Sequence, residues 1–280
     1  MRAIEQPTQL PPLEVESIAS EVLGASSERR QIVPISSRYQ GFDLDFAYRV
    51  TAAVMKRRVS RGERPIGRKI GFTNRTIWAD YGVYAPIWGY MYASTVREVA
   101  PGDCFALDGL LEPHIEPEIA FGLARVPEPG MDEAALLSCI DWVAHGFEIV
   151  HSIFPKWRFA AADTVAALGL HGAYLCGPRH AVRREDESRW FAQLATFSAT
   201  MERDGGPKVI GDGSAVLGGP LTALRHLVEL LARDATNPPI DAGEIVTTGT
   251  LTRALPVAPG EAWRTTIEGI PLEGLTVHFA

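Results

Sequence analysis

Apolar and polar positions along the chain follow two rhythms, and the change between them divides it. From Leu13 to Leu23, Val15, Ile18, Ala19 and Val22 recur at helical spacing, and Gly24 suits the end of that helix. A second helix is predicted from Asp43, where Leu44, Ala47, Tyr48, Thr51 and Met55 return every three or four residues. It has an acidic start and the basic end Lys56-Arg57-Arg58. From Gly67 short apolar runs broken by glycine and proline predict strands at Arg68 to Phe72, Ile87 to Met91, Phe105 to Leu107 and Ile115 to Leu123. Helical spacing returns from Asp132 to His145 (Ala135, Leu136, Cys139, Ile140, Val143), with Gly146 at the stop. It returns again from Pro220 to Arg233 with the stripe Leu221, Leu224, Val228 and Leu231. Later strands are predicted at Ala173 to Cys176, Phe191 to Met201, Glu244 to Leu251 and Leu275 to Phe279. The pattern is α+β, with a helical N-terminal portion over residues 1–65 and a β-rich portion over 66–280.

Glu112 to Gly122, taken as one strand, carries the most suggestive chemistry. Alternation puts His114, Glu116 and Glu118 on one face and Ile115, Pro117 and Ile119 on the other. Two carboxylates side by side repel unless a cation lies between them, and paired carboxylates suit hard cations such as Mg²⁺. A half-buried strand with its polar face in water accounts for the same residues without a metal. Glu148 stands alone among apolar residues in Gly146-Phe147-Glu148-Ile149-Val150, so it must be paired, neutral or metal-bound. It is a candidate third ligand or the ion-pair partner of an arginine. Lys69 sits between Gly67 and Gly71, where it can approach a ligand closely or simply face solvent. Thr247-Thr248-Gly249-Thr250 offers hydroxyls and backbone N–H groups to a carboxylate, or is an ordinary threonine-rich strand.

Composition narrows the classes. A length of 280 residues fits one domain with an appended segment or two small ones. The net charge of −7 is spread along the chain, which argues against nucleic acid as a partner. The basic residues at 56–58 and 61–69 read as a solvated helix end. No apolar run reaches the roughly 18 residues of a membrane span. The first residues carry Glu5, Gln6 and prolines instead of a signal core, so a cytoplasmic protein is expected. Cys104, Cys139 and Cys176 are odd in number and widely spaced, which indicates apolar fillers rather than disulfides or a zinc site. Nucleotide-binding and hydrolase signatures are absent.

Six motifs in matching order resemble a known family: Gly67-Arg-Lys-Ile-Gly-Phe-Thr-Asn74; Tyr81-Gly-Val83 with Pro86, Ile87 and Gly89; Glu116-Pro-Glu-Ile-Ala-Phe121; Glu148-Ile-Val150; Leu217-Gly-Gly-Pro-Leu221; and Gly243-Glu-Ile-Val-Thr-Thr-Gly-Thr250. These resemble the 2-hydroxypenta-2,4-dienoate (2-keto-4-pentenoate) hydratases, which with the 4-oxalocrotonate decarboxylases belong to the fumarylacetoacetate hydrolase superfamily. The resemblance runs from about Ile18 to Phe279. It implies a mixed β-roll or β-sandwich core and Mg²⁺ or Mn²⁺ held by Glu116, Glu118 and Glu148. The implied activity is a metal-dependent hydro-lyase adding water to a 2-hydroxydienoate or 2-keto-enoate in aromatic-compound catabolism. Decarboxylation, C–C hydrolysis or a non-catalytic partner subunit are the alternatives. On the same basis Lys69, Arg158 and Asp163 are expected to be catalytic, and Thr250, Thr73 and His151 to bind substrate. A homo-oligomer is expected, with a decarboxylase or hydratase partner as a further association.

The departures from the family pattern cluster after Glu148. Where the hydratases usually read Asp-Ser-Arg, Trp-Lys and Asp-Thr-x-Ala-Asp-Asn-Ala-Ser, this chain has His151-Ser-Ile153, Trp157-Arg158 and Asp163-Thr-Val-Ala-Ala-Leu-Gly-Leu170. Arg158 keeps the charge of the family's lysine but cannot shuttle a proton. His114, His151 and His171 are additional titratable groups. The apolar Ala167 to Leu170 stretch is expected to favour a substrate whose distal end carries no second carboxylate, whereas Arg158 and the nearby histidines, if aimed at the pocket, would welcome one.

Overall fold

The structure is a computed structural model that describes residues 14–75, 78–81 and 83–280. Leu13, the Glu5, Gln6 and proline positions before it, and Gly82 of the Tyr81-Gly82-Val83 motif lie outside them. In chain order the helices are α1 (Val15–Ser27), α2 (Leu44–Ser60), α3 (Trp78–Tyr81), α4 (Glu133–Leu137), α5 (Ala161–Ala166), α6 (Glu187–Leu194) and α7 (Pro220–Arg233). The strands are β1 (Pro65–Gly71), β2 (Ile87–Tyr92), β3 (Val96–Glu98), β4 (Asp103–Phe105), β5 (His114–Leu123), β6 (Ile140–Val150) and β7 (His171–Ala181). They continue as β8 (Ser198–Arg203), β9 (Lys208–Asp212), β10 (Ile245–Thr250), β11 (Leu255–Pro256), β12 (Ala262–Glu268) and β13 (Thr276–Phe279).

The larger sheet has the order β2-β1-β10-β5-β6-β7-β3, with β11 beside the start of β5. Its two edge strands β2 and β3 are separated by only residues 93–95, and Thr95 O accepts from Tyr174 N of β7 at 2.8 Å. A sheet whose opposite edges are three residues apart must curl into a roll. Met91, Ala120, Ala144, Tyr174, Cys176 and Ile245, drawn from five strands, meet in one small cluster on its inner face. The outer face packs partly on a smaller sheet, β4-β13-β12-β8-β9, through Ile115, Phe147, Ile149 and Leu175 against Met201, Trp263, Val277 and Phe279. The rest of that face joins Ile18 and Val22 of α1, Val50 of α2 and Leu224 of α7 in the main core. The helical N-terminal portion therefore shares its core with the sheet. Tyr48 of α2 stacks on Trp88 of β2 with ring centres 5.1 Å apart.

Several expectations are corrected. The helix read over Asp132 to His145 stops at Leu137, although Asp132 caps it as expected by accepting from Ala135 N at 2.8 Å. Residues 140–150 form strand β6, paired on both sides by β5 and β7. A strand buried on both faces is almost uniformly apolar, so its sequence also satisfies a helical spacing. The strand read over Phe191 to Met201 is helix α6 followed by β8. Trp190 and Leu194, four residues apart, are the buried pair that fixes the helix. Helix α1 runs through Gly24, with Ala25 buried, and it ends at Ser27, two residues before Arg29, whose φ is 53°. The strand expected at Phe105 to Leu107 is displaced to Asp103–Phe105 by parallel pairing with β13. Arg68 is not part of a solvated helix end. It is 2% exposed, pairs with Glu244 at 2.7 Å and lies over the Tyr90 ring at 4.1 Å. Cys139 and Cys176 are buried fillers, but Cys104 is exposed. Gly213–Arg233 has the length and hydropathy of a membrane span among the described residues. The apolar side chains of α7 within it, from Leu221 to Leu231, face the protein core.

The inner face of the roll is crowded. A Cβ on Gly146 would lie 2.5 Å from Leu175 O and 2.5 Å from the Tyr174 phenol oxygen. Gly146→Ala is expected to lower unfolding stability by about 1–3 kcal/mol, the usual cost of overpacking. Urea denaturation of the variant checks this, and an unchanged midpoint would show that β6 and β7 can separate locally.

Candidate active site

The ladder between β5 and β6 places Glu116 directly opposite Glu148 and Glu118 opposite Gly146. All three glutamates point to the inner face, and one oxygen from each can be chosen so that the three lie within 4.8 Å of one another. Glu118 and Glu148 are fully buried, whereas Glu116 is half-buried and opens onto a cavity. Lys69 reaches the same place from β1. Its Nζ is 3.0 Å from Glu148 Oε2 and donates to Gly169 O at 3.0 Å. Glu148 Oε1 accepts from His171 Nδ1 at 2.8 Å. Glu118 Oε2 accepts from Gly249 N at 3.0 Å, while Glu118 Oε1 has no hydrogen-bond partner among the described residues.

Electrostatics divides the carboxylates. Burial pushes Glu116 up to about 7, with Lys69 opposing and Glu148 adding to the rise. Burial and the neighbouring Glu148 raise Glu118 well above the usual carboxylate range. Burial acts the same way on Glu148, but Lys69 and His171 outweigh it and hold Glu148 down at about 2. Burial alone would discharge Lys69; Glu148, then Glu116 and Glu118, reverse this and raise its pKa. Three carboxylates thus face one ammonium, with one buried carboxylate oxygen unpartnered. That donor set, all oxygen and two charges in excess once all three carboxyls are ionised, fits a hard divalent cation.

The cavity beside it has a volume of about 300 Å³. Lys69, Glu116, Glu118, Thr73, Asn74, Thr164 and Thr250 supply its polar lining, and Arg253 stands on its wall. Phe72, Ile87, Val150, Trp157, Phe159 and Leu170 supply its apolar lining. Two left-handed turns present part of that lining: Lys156 and Trp157 have φ of 58° and 55°, and Leu168, Gly169 and Leu170 have φ of 57°, 66° and 64°. The Trp157 indole is tied by its N–H to Glu112 O at 3.0 Å.

The residues singled out from the sequence divide in two. Lys69, Glu116, Glu118, Thr73 and Thr250 are on the cavity wall, with Glu148 against Lys69. Arg158, Asp163 and His151 are not. Arg158 is exposed while its neighbours Trp157 and Phe159 face inward. Asp163 is a helix cap: its oxygens accept from Ser36 N at 2.9 Å, Ser36 Oγ at 2.5 Å and Ala160 N at 2.8 Å, which ties the start of α5 to residues 35–37. Burial holds His151 down at about 4, with its Nδ1 3.4 Å from Leu111 N. His114 packs edge-on against Trp157 with ring centres 4.1 Å apart. Reasoning from sequence missed His171 as the partner of Glu148, the Gly169 carbonyl as the acceptor for Lys69, and Arg253. No spacing links these pairs, because each contact joins residues distant in the chain.

No family model matches the chain. It is 30% identical over 257 residues to the 2-hydroxyhexa-2,4-dienoate hydratase of Comamonas testosteroni, covering 91% of this chain and 94% of that one. It is 33% identical over 250 residues to the TodF product hydratase of Pseudomonas putida F1, covering 89% of each. The chain belongs to the 2-keto-4-pentenoate hydratase family. Among solved structures, the 4-oxalocrotonate decarboxylase of Pseudomonas putida G7, complexed with magnesium and adipate, superposes with a TM-score of 0.87 at 26% identity. That match covers 96% of this chain and 99% of the decarboxylase. The fumarylpyruvate hydrolase of Pseudomonas aeruginosa, at 14% identity and a TM-score of 0.53 over 78% of this chain and 90% of that one, shares the fold. The roll is therefore the fold of that decarboxylase and of the hydrolase.

Removing any one carboxylate of the cluster is expected to weaken Mn²⁺ binding by at least about tenfold, the size found even for groups that only support a ligand. Glu116→Gln, Glu118→Gln and Glu148→Gln, each titrated by calorimetry, provide the measurement. A Glu148→Gln protein that binds like the parent would exclude Glu148 from the site.

Proposed function

We propose that this member of the family is a divalent-metal-dependent hydro-lyase that adds water to a 2-hydroxypenta-2,4-dienoate-type substrate. The observation that carries the reading is the convergence of three glutamates and one lysine on the inner face of the roll, beside a cavity with an extensive apolar lining. The names of the relatives support hydration, and the magnesium bound by the related decarboxylase supports Mg²⁺ as the ion held by Glu116, Glu118 and Glu148.

The chemistry that a bound hard cation supplies here is neutralisation of the substrate's carboxylate and adjacent oxygen, together with charge stabilisation as an enolate develops. Lys69, kept cationic by the surrounding carboxylates, binds the substrate's C2 oxygen and holds or returns its proton there. Thr73 and Thr250 stand on the same wall, within the cavity that takes the carboxylate end. The dienol first gains a proton at its terminal carbon and loses one from the enol oxygen. Water then adds to the β carbon of the resulting enone, and a proton returns to the α carbon. Phe72, Trp157, Phe159 and Leu170 exclude bulk water from the distal carbons.

With Mg²⁺ and 2-hydroxypenta-2,4-dienoate the expected product has gained one water by mass, and Lys69→Met should lower kcat/KM by about 10²–10⁴-fold. Loss of carbon dioxide from an added diacid would point to decarboxylation instead, and no product from any dienoate would overturn the reading. The apolar lining predicts a preference for the monoacid dienol over its dicarboxylic analogue, because such a wall cannot compensate a buried charge. Faster turnover of the diacid would assign Arg253 as a carboxylate clamp. A symmetric homo-oligomer is also part of the proposal, since Ile210 on the edge strand β9 is 73% exposed. Light scattering at micromolar concentration should give at least a dimer, and a monomer would remove this claim.

A further inference from the structure

Besides Glu148 Oε2, which Lys69 Nζ approaches at 3.0 Å, three buried polar atoms on the inner face of the roll have no hydrogen-bond partner among the described residues: Glu118 Oε1, the Tyr174 phenol oxygen and Thr247 Oγ1. Each belongs to a fully buried residue. Leaving a buried polar atom unpaired is costly, so three on one face of one sheet indicate a polar group shared between them. The register brings them together. Tyr174 on β7 stands opposite Glu148 on β6, yet its phenol leans along β6, because a Cβ on Gly146 would lie 2.5 Å from the phenol oxygen. Gly146 is the direct ladder partner of Glu118 on β5, and directly paired residues have Cβ positions about 4.5–5.5 Å apart. Glycine at 146 leaves open the space through which the hydroxyl faces the Glu118 side chain. Thr247 approaches from the other flank, paired with Ala120 two residues beyond Glu118. Gly249 N already occupies Glu118 Oε2, so Oε1 is the atom left for these hydroxyls.

We propose that Tyr174 is a positioning residue for Glu118, with its hydroxyl donating to Glu118 Oε1 across one water once a cation is held and so fixing how that carboxylate faces the cavity. Burial, with added repulsion from Cys176, Glu118 and Glu148, holds the phenol in its protonated form, which can donate. Thr247 provides the second support on the opposite side. The inference rests on the metal-binding reading of the glutamate cluster.

Tyr174→Phe removes one oxygen and keeps the ring. Mn²⁺ titration by calorimetry, with melting of the metal-free protein, needs no substrate. The expected result is a 10- to 100-fold weaker Mn²⁺ affinity with a metal-free melting temperature equal to or above the parent's, since a costly buried hydroxyl is gone. Thr247→Val should shift affinity in the same direction by less. Parent-like affinity in Tyr174→Phe overturns the proposal, as does weakened affinity accompanied by a lower metal-free melting temperature, which would make the hydroxyl structural. A parent protein that binds no Mn²⁺ removes the metal-binding reading itself and this inference with it.

Discussion

The structure depends on the burial of three carboxylates inside a curled sheet with a single lysine among them. Removing a carboxylate from water costs several kcal/mol unless opposite charge or hydrogen bonds repay it. Here the repayment is uneven: Glu148 has both Lys69 and His171, Glu118 has one backbone N–H, and Glu116 has the cavity. The excess of carboxylates over cations gives the inner face the donor set a divalent cation requires. It also keeps Lys69 charged at a depth where an isolated ammonium would lose its proton. The small residues around the cluster, Gly89, Ala120, Ala144 and Gly146, let the sheet curl tightly enough for strands from β1 to β7 to meet there.

Around the cavity the backbone takes up strain. Five residues in two turns, 156–157 and 168–170, have left-handed φ values, a conformation costing about 1–2 kcal/mol per non-glycine residue. In return the first turn brings the Trp157 indole, and through it Phe159, to the cavity. The second places Leu170 on the wall and aims the Gly169 carbonyl at Lys69. A Cβ on Gly169 would lie 2.8 Å from Lys69 Cδ, so this position takes glycine both for its conformation and for the close approach of the lysine stem. The apolar wall and the charged wall are thus mechanically joined through one backbone carbonyl.

Much of this was legible in the chain. Alternation put Glu116 and Glu118 on one face, Asp43 and Asp132 marked real helix starts, and Pro220 opened the stripe of α7. The ordered motifs resembled the right family, and through it implied a metal and three glutamates. The failures share one cause. Where a segment is buried on both faces, as in β6, apolar spacing no longer distinguishes helix from strand, and only pairing with β5 and β7 decides.

Asp163 and Arg158 show the other limit. The sequence shows that a charge is present but not which way it points: Asp163 turns to Ser36, 127 residues away, and Arg158 turns to solvent. The sequence by itself determined the elements with local signals, the family, and which carboxylates are available, because caps, periodicity and motifs act over a few residues. The tertiary structure decided which of those groups share a site, which hydroxyls lie beneath them and which residues wall the cavity. Those contacts are made across strands and turns far apart in the chain, and closure of the roll is what creates them.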